Sequence, residues 1–274
     1  MAGIFPRHGF FLQAFPLTNV ATSDHGEHRS AIAIIPARYG STRVPGKPLA
    51  DIGGKTMVER VYERARMAQS LERVIVATDD DRICAVIPEA DDVVMTDPAH
   101  ESGSDRVAEV AFGLACEIVV NIQGDLPLLE AELVDRLVRT LRVDPELDIA
   151  TCAVPVSSLE EFRDPGAVKV VVDGNGRALY FSRAPIPHVR DATDDYTLAL
   201  HHIGLYAYRR ESLLRFASLE PTRLERAEKL EQLRALEHGM KIGVVVHDGP
   251  PPMEVDTDED LRRARRAVEA ESDR

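Results

Sequence analysis

From Ala31 onward the chain alternates short apolar runs with helical stripes. Ala31–Ile35 is a continuous apolar run, and Arg73–Ala77, Val93–Met95 and Ile118–Ile122 follow it. Unbroken runs of this length suit strands buried on both faces of a parallel sheet. Between them, Thr56–Ala68 places Met57, Val58, Val61, Ala65 and Ala68 on one helical face. Ser104–Ala115 does the same with Val107, Ala108, Ala111 and Leu114. Strand and helix in alternation predict an α/β domain on a mainly parallel sheet, with right-handed crossovers.

Past residue 148 the rhythm loosens. Ile149–Val156, Val168–Val172, Ala178–Phe181, Ile203–Tyr208 and Lys241–Val246 read as strands, with Asp173-Gly-Asn-Gly176 as a hairpin turn. Thr222–Glu237 reads as one helix, apolar at Leu224, Ala227, Leu230, Leu233 and Leu236 and ended by Gly239. Asp256–Glu271 reads as a closing helix with Asp256 or Thr257 as its N-cap. Residues 1–30 differ: Phe5, Phe10, Phe11 and Phe15 lie among Pro6 and Pro16, and a polar tract follows. They are expected to be a poorly ordered extension rather than a secretory leader, with a Phe-bearing docking tail as the alternative.

Composition narrows the class. At 274 residues, 44% apolar, the chain can bury a real core as one large domain or a core with a smaller lobe. No run of about 18 apolar residues exists, so no membrane-spanning helix is expected. The formal charge of −13 and the absence of Trp argue against binding nucleic acid, whose phosphates the protein would repel. Cys84, Cys116 and Cys152 are odd in number, widely spaced and set in apolar contexts. They read as core residues of a protein from a reducing, cytoplasmic compartment.

Against this acidic background the loop after the first strand stands out. Pro36-Ala-Arg38-Tyr-Gly-Ser-Thr-Arg43-Val-Pro-Gly-Lys47-Pro48 sets three cations where open α/β sheets bind ligands. It is not a Walker loop, because Gly40 and Gly46 are wrongly spaced and Pro48 follows the Lys. Arg38, Arg43 and Lys47 would grip a polyphosphate as two forks and a point charge; a solvated basic loop is the alternative. Gln123-Gly-Asp125 closes another apolar run, so Asp125 could hold Mg²⁺ together with substrate phosphates, or simply make a turn. Asp256 heads an acidic helix start, and could face a metal or cap the helix. Ser102-Gly-Ser104-Asp-Arg106 offers hydroxyls to a base or ribose, or a helix cap with Ser104 as the expected N-cap. His201 and His202 are unsuited to share one zinc ion, since neighbours on a strand point to opposite faces.

In order, the chain carries Ile-Pro-Ala-Arg-x-x-Ser-Thr-Arg-x-Pro-Gly-Lys-Pro, Ala-Thr-Asp, Ser-Gly-x-Asp-Arg, Gln-Gly-Asp, Ala-Leu-Tyr-Phe-Ser-Arg, His-x-Gly-x-Tyr, Glu-x-Leu-Glu-Gln-Leu-Arg and Val-Asp-Thr. Over Ala31 to the closing helix this resembles the 3-deoxy-D-manno-octulosonate (Kdo) cytidylyltransferases, the CMP-Kdo synthetases. The resemblance implies a Rossmann-like nucleotide-diphospho-sugar transferase fold with a smaller acceptor and dimerisation lobe, and a homodimer. It implies a cytidylyltransferase that joins CTP to a sugar acid with Mg²⁺ and releases pyrophosphate. Residues 31–274 would be the catalytic domain, with a nucleotide half at about 31–147 and an acceptor half at about 148–274.

Carried over by position, Arg38, Arg43, Lys47 and Asp125 are the catalytic candidates, and Asp125 and Asp256 the metal carboxylates. Arg38, Arg43, Lys47, Ser102 and Gln123 fall to the nucleotide. Gln123, Arg190, His202, Tyr206, Glu231 and Gln232 fall to the acceptor, whose carboxylate Arg190 is expected to take with His202. The chain departs from the family at Leu126, where a Glu is usual, at His188 in place of Trp, and at Glu254 in place of Gly. Two alternatives follow from the departures: a cytidylyltransferase for a small phosphonate such as phosphonoformate, as in antibiotic biosynthesis, and a nucleotide-binding regulator without catalysis.

Overall fold

The computed structural model describes residues 30–40, 46–100, 102–192 and 194–272. The extension at residues 1–29 lies outside them, as does Arg43. The strands are β1 (Ala31–Ala37), β2 (Asp51–Ile52), β3 (Lys55–Thr56), β4 (Leu71–Thr78), β5 (Val93–Met95), β6 (Ile118–Asn121), β7 (Ile149–Pro155), β8 (Lys169–Val172), β9 (Ala178–Ser182), β10 (Leu200–Arg209) and β11 (Ile242–Val246). The helices are α1 (Met57–Ala65), α2 (Asp81–Cys84), α3 (Gly103–Phe112), α4 (Ala131–Val143), α5 (Leu159–Arg163), α6 (Arg210–Ala217), α7 (Arg223–Glu228), α8 (Gln232–Glu237) and α9 (Asp258–Ser272).

The main path of the sheet runs β11-β7-β10-β6-β1-β4-β5. β1 pairs in parallel with β4 and β6, β4 with β5, and β7 with β11. Only β10 runs against its neighbours β6 and β7. The alternation of side chains along each strand divides the core into two layers. Ala31, Ala33 and Ile35 join α1 and α4 in one apolar cluster, whereas Ile32 and Ile34 join α3, α6 and α8 in the other. Helix α4, whose Leu133, Val134, Leu137, Val138 and Leu141 are all buried, is a further element that the sequence pattern supports.

The predicted hairpin is present as β8 and β9, joined through Asp173-Gly-Asn-Gly176, and β8 also pairs with the start of β10. The helix expected over Thr222–Glu237 is instead two short helices, α7 and α8, broken at Lys229 with φ +56°. The cause is a competing set of hydrogen bonds. Arg183 donates to the Glu228 and Lys229 carbonyls, while the Glu228 carboxylate accepts from Ser182 Oγ (2.6 Å) and the Arg183 amide (3.0 Å). Carbonyls that would continue the helix ladder are thereby claimed from outside it.

Candidate functional site

At the carboxyl ends of β1 and β6 lies an open cleft of about 290 Å³. It gathers Arg38, Lys47, Ser102, Gln123, Asp125 and Asp256, six of the residues singled out in the sequence. Their convergence follows from topology. β1 and β6 are adjacent and parallel, so the loops that follow them leave the sheet side by side. The approach is close: a Cβ on Gly124 would meet the Pro36 carbonyl at 3.1 Å. The other end of the loop after β1 turns at Gly46 with φ +67°, packed against the Tyr39 ring. A side chain at Gly46 would meet both backbone strain and that ring. Arg82 lies over the Tyr39 ring, with its guanidinium carbon 3.4 Å from the ring centroid.

Lys47 is the centre of the cleft. Its Nζ lies 2.8 Å from Asp125 and 3.0 Å from Asp256, which belong to segments far apart in the chain. Burial works against the Lys47 charge, but Asp125 and then Asp256 outweigh it and raise its pKa above the usual range. The sequence left Asp256 between metal ligand and helix cap, and in the structure its neighbour Thr257 makes the cap. Thr257 Oγ1 caps α9 by accepting from the Asp260 amide, and Asp260 answers by accepting from the Thr257 and Asp256 amides. The Asp256 carboxylate meanwhile turns to Lys47. Glu254, open to solvent on one side, has its carboxyl pushed up to about 7, first by desolvation and then by Asp125 and Asp256. Leu126, which follows Asp125, is buried in the core and does not face the cleft.

Ser102 is the N-cap of α3, its hydroxyl accepting from the Asp105 amide at 3.1 Å, and it lines the cleft in the same pose. Arg106 is a lining residue that the sequence reading had not singled out. It is 3% exposed and ion-paired with Asp79 at 2.8 Å, so a fixed cation lies beneath the cleft floor. Its signal was present in the sequence as the last residue of Ser-Gly-x-Asp-Arg.

The acceptor candidates form a second group. Tyr206 is paired with Asn121, the last residue of β6, which places it at the carboxyl edge of the sheet. His202 stands edge-on to Phe181 (4.9 Å between centroids) and tilted against Tyr206 (5.4 Å). The register slips between Ile203 and Tyr206, and Thr151 Oγ1 satisfies this bulge by donating to the Leu205 carbonyl at 2.9 Å while lying 3.0 Å from His202 Nε2. His202 is buried, and burial followed by His201 pushes its pKa down to about 3. The ring is neutral, and it can orient Tyr206 or offer an uncharged hydrogen bond. Arg190 is exposed in the segment between β9 and β10 and does not line the cleft. Glu231 and Gln232 begin α8, where Ser104 Oγ of α3 donates to Glu231 at 2.7 Å. His201 faces Glu161 at 2.8 Å and takes no part in this group.

Comparison with known proteins adds a second line. Residues 32–242 match the family described as Cytidylyltransferase. A 3-deoxy-manno-octulosonate cytidylyltransferase of Syntrophotalea carbinolica is 50% identical over 242 residues, which cover 85% of this chain and 96% of the relative. That of Geobacter sulfurreducens is 49% identical over 243 residues, covering 84% and 96%. Among solved structures, CMP:2-keto-3-deoxy-manno-octonic acid synthetase complexed with CTP aligns with a TM-score of 0.82 at 42% identity, covering 88% of this chain and 99% of that one. A 4-diphosphocytidyl-2C-methyl-D-erythritol synthase from Anaerococcus prevotii shares the fold at a TM-score of 0.57 and 14% identity.

Proposed function

The chain belongs to the 3-deoxy-manno-octulosonate cytidylyltransferases, and from that premise we propose that it transfers CMP from CTP to Kdo in the cleft around Lys47. The observation that carries the reading is the placement of one ammonium between two carboxylates, Asp125 and Asp256, beside a strand-end basic loop. Relatives near 50% identity favour Kdo over a small phosphonate, and a filled set of phosphate and carboxylate positions favours catalysis over a purely regulatory role.

The residues fit Mg²⁺. Asp125 and Asp256 reach the same point in space, since both contact Lys47 Nζ, and their donors are hard oxygens. Among the described residues no cluster of three or more His, Cys, Asp or Glu side chains converges as a metal cage, and Mg²⁺ needs only one or two carboxylates plus substrate phosphates. When bound there, Mg²⁺ supplies positive charge to the phosphates. Lys47 exchanges its carboxylate partners for the CTP phosphates, and Arg38 holds them from the β1 loop, with Arg43 as an expected second fork. The oxygen of an acceptor hydroxyl then attacks the α-phosphorus in line, its proton passes to solvent, and the bond to pyrophosphate breaks. Gln123 stands between the two substrates. Tyr206, Glu231 and Gln232 offer hydrogen bonds to acceptor hydroxyls, and Arg190 offers a fork to its carboxylate.

Among the described residues no helix is long and apolar enough to cross a membrane. A homodimer in the cytoplasm completes the proposal, and sedimentation analysis would show a mass twice that of one chain. The decisive experiment measures pyrophosphate release from CTP with Kdo, other 2-keto sugar acids and phosphonoformate in parallel. Turnover with Kdo is expected; efficient turnover of phosphonoformate and none of Kdo would overturn the acceptor assignment.

A further inference from the structure

The two groups of site residues are joined by one short bridge that no step so far has used. Helix α3 begins at Gly103, and Ser102 and Gly103 line the nucleotide cleft. One residue further, Ser104 turns the other way, is 6% exposed, and donates its hydroxyl proton to the Glu231 carboxylate. The Tyr208 hydroxyl interacts with the same serine.

The cation next to Glu231 does not replace this bond. Arg234 is committed to Glu225 through two bonds, of 2.9 and 2.6 Å, and reaches Glu231 only at 3.6 Å. The remaining groups that face Glu231 are Asp105 and Glu225, which repel its charge, and the uncharged phenols of Tyr206 and Tyr208.

We propose that Ser104 is a positioning residue that fixes the Glu231 carboxylate for the acceptor, and so locks the acceptor pocket to the helix whose first turn lines the nucleotide cleft. The inference rests on the reading of Glu231 as an acceptor contact. Its logic is that of preorganisation. A carboxylate held before the ligand arrives loses less freedom on binding it than one that must be ordered at that moment. Burial pushes the Glu231 pKa up and the Ser104 bond pulls it back, so the serine also favours the ionised acceptor contact.

The test is steady-state kinetics of the full-length enzyme with CTP and Kdo. Ser104→Ala should raise KM for Kdo roughly ten- to a hundredfold, as expected for a lost bond to a charged group. KM for CTP should stay within about twofold and the melting temperature close to wild type; Ser104→Thr, which keeps the hydroxyl, should restore KM for Kdo. In Ser104→Ala the acid limb of kcat/KM for Kdo should move to higher pH, because the donor that favours ionised Glu231 is gone; a merely structural serine would not move it. Glu231→Ala supplies the control, and adding Ser104→Ala to it should have no further effect. If Glu231→Ala raises KM for Kdo while Ser104→Ala changes neither KM nor the acid limb, the inference is overturned and the acceptor reading stands. If Glu231→Ala itself leaves KM for Kdo unchanged, the acceptor reading fails and the inference fails with it.

Discussion

The proposed nucleotide half and the proposed acceptor half bring their polar side chains to the sheet edge by different means. In the first, strands β1, β4, β5 and β6 are all parallel, and charged groups sit on the loops that leave them. Arg38, Gln123 and Asp125 need little beyond the strand in front of them to be delivered to the cleft. In the second, β10 is reversed, α7 and α8 are separated by a left-handed residue, and side chains are held by one another: Glu228 by Ser182 and the Arg183 amide, Glu231 by Ser104. The difference teaches that side chains on strand-end loops are placed by the sheet alone, whereas those on the reversed side are placed by bonds to one another.

The largest effect should separate the halves outright. Asp125→Ala and Asp256→Ala each remove a proposed carboxylate ligand of the Mg²⁺ that would neutralise the phosphates, and each should lower pyrophosphate release by about a thousandfold or more at saturating Mg²⁺. Circular dichroism should be unchanged, since neither side chain is part of the apolar core. Near-normal turnover in either variant would remove that residue from the proposed metal site.

Gln232→Ala probes the other half. A buried polar contact is worth about 1–3 kcal/mol, so KM for Kdo should rise by roughly ten- to a hundredfold with KM for CTP preserved. Equal increases for both substrates would erase the division between the halves.

Next in size is a pH effect rooted in His202. The unfolded chain takes up a proton near 6.5 that the folded ring refuses until about 3. Its contribution is therefore complete above pH 6.5 and is lost as pH falls from there towards 3, at about 1.4 kcal/mol per unit. Urea unfolding should show a fall of about 2 kcal/mol between pH 6.5 and 5, and His202→Phe should flatten that slope. A slope identical in both proteins would mean that the ring is protonated in the folded state.

The smallest effect concerns the helix break. Lys229 at φ +56° bears the left-handed penalty of about 1–2 kcal/mol, of which a glycine would give back part through its freer unfolded chain. Lys229→Gly should stabilise by about 0.5–1 kcal/mol and raise the melting temperature by a few degrees. A lower melting temperature would show that the Lys229 side chain contributes more than its backbone costs.

Legibility in the sequence followed the same division. Apolar runs gave β1, β4, β5 and β6, because burial on both faces leaves a continuous signal. The cleft was legible too, since Arg38, Lys47, Ser102, Gln123 and Asp125 lie in loops next to those runs and Asp256 precedes a capped helix. The split of α7 from α8 was not. The apolar spacing from Leu224 to Leu236 suits one helix, and only the distant Arg183 ends it. Nor was the neutrality of His202, which depends on Phe181, Tyr206 and Thr151 closing around it from other strands. Leu126 looked like a lost acid in the sequence, while its burial shows that this position belongs to the core.

One feature of the sheet reaches beyond this enzyme's chemistry. Because β10 runs backwards, its beginning lies beside the outgoing end of β7, and only from Tyr206 onward does it pair with β6. The chain between Ser182 and Leu200 therefore arrives at the ligand edge without having to continue a parallel crossover. That stretch can lengthen, shorten or be exchanged while the register of β10 stays fixed by Asn121 and Thr151. If Arg190 meets the acceptor as proposed, an exchange confined to residues 184–198, which leaves Arg183 and its hold on Glu228 in place, should retune which acid is accepted and leave KM for CTP as it is.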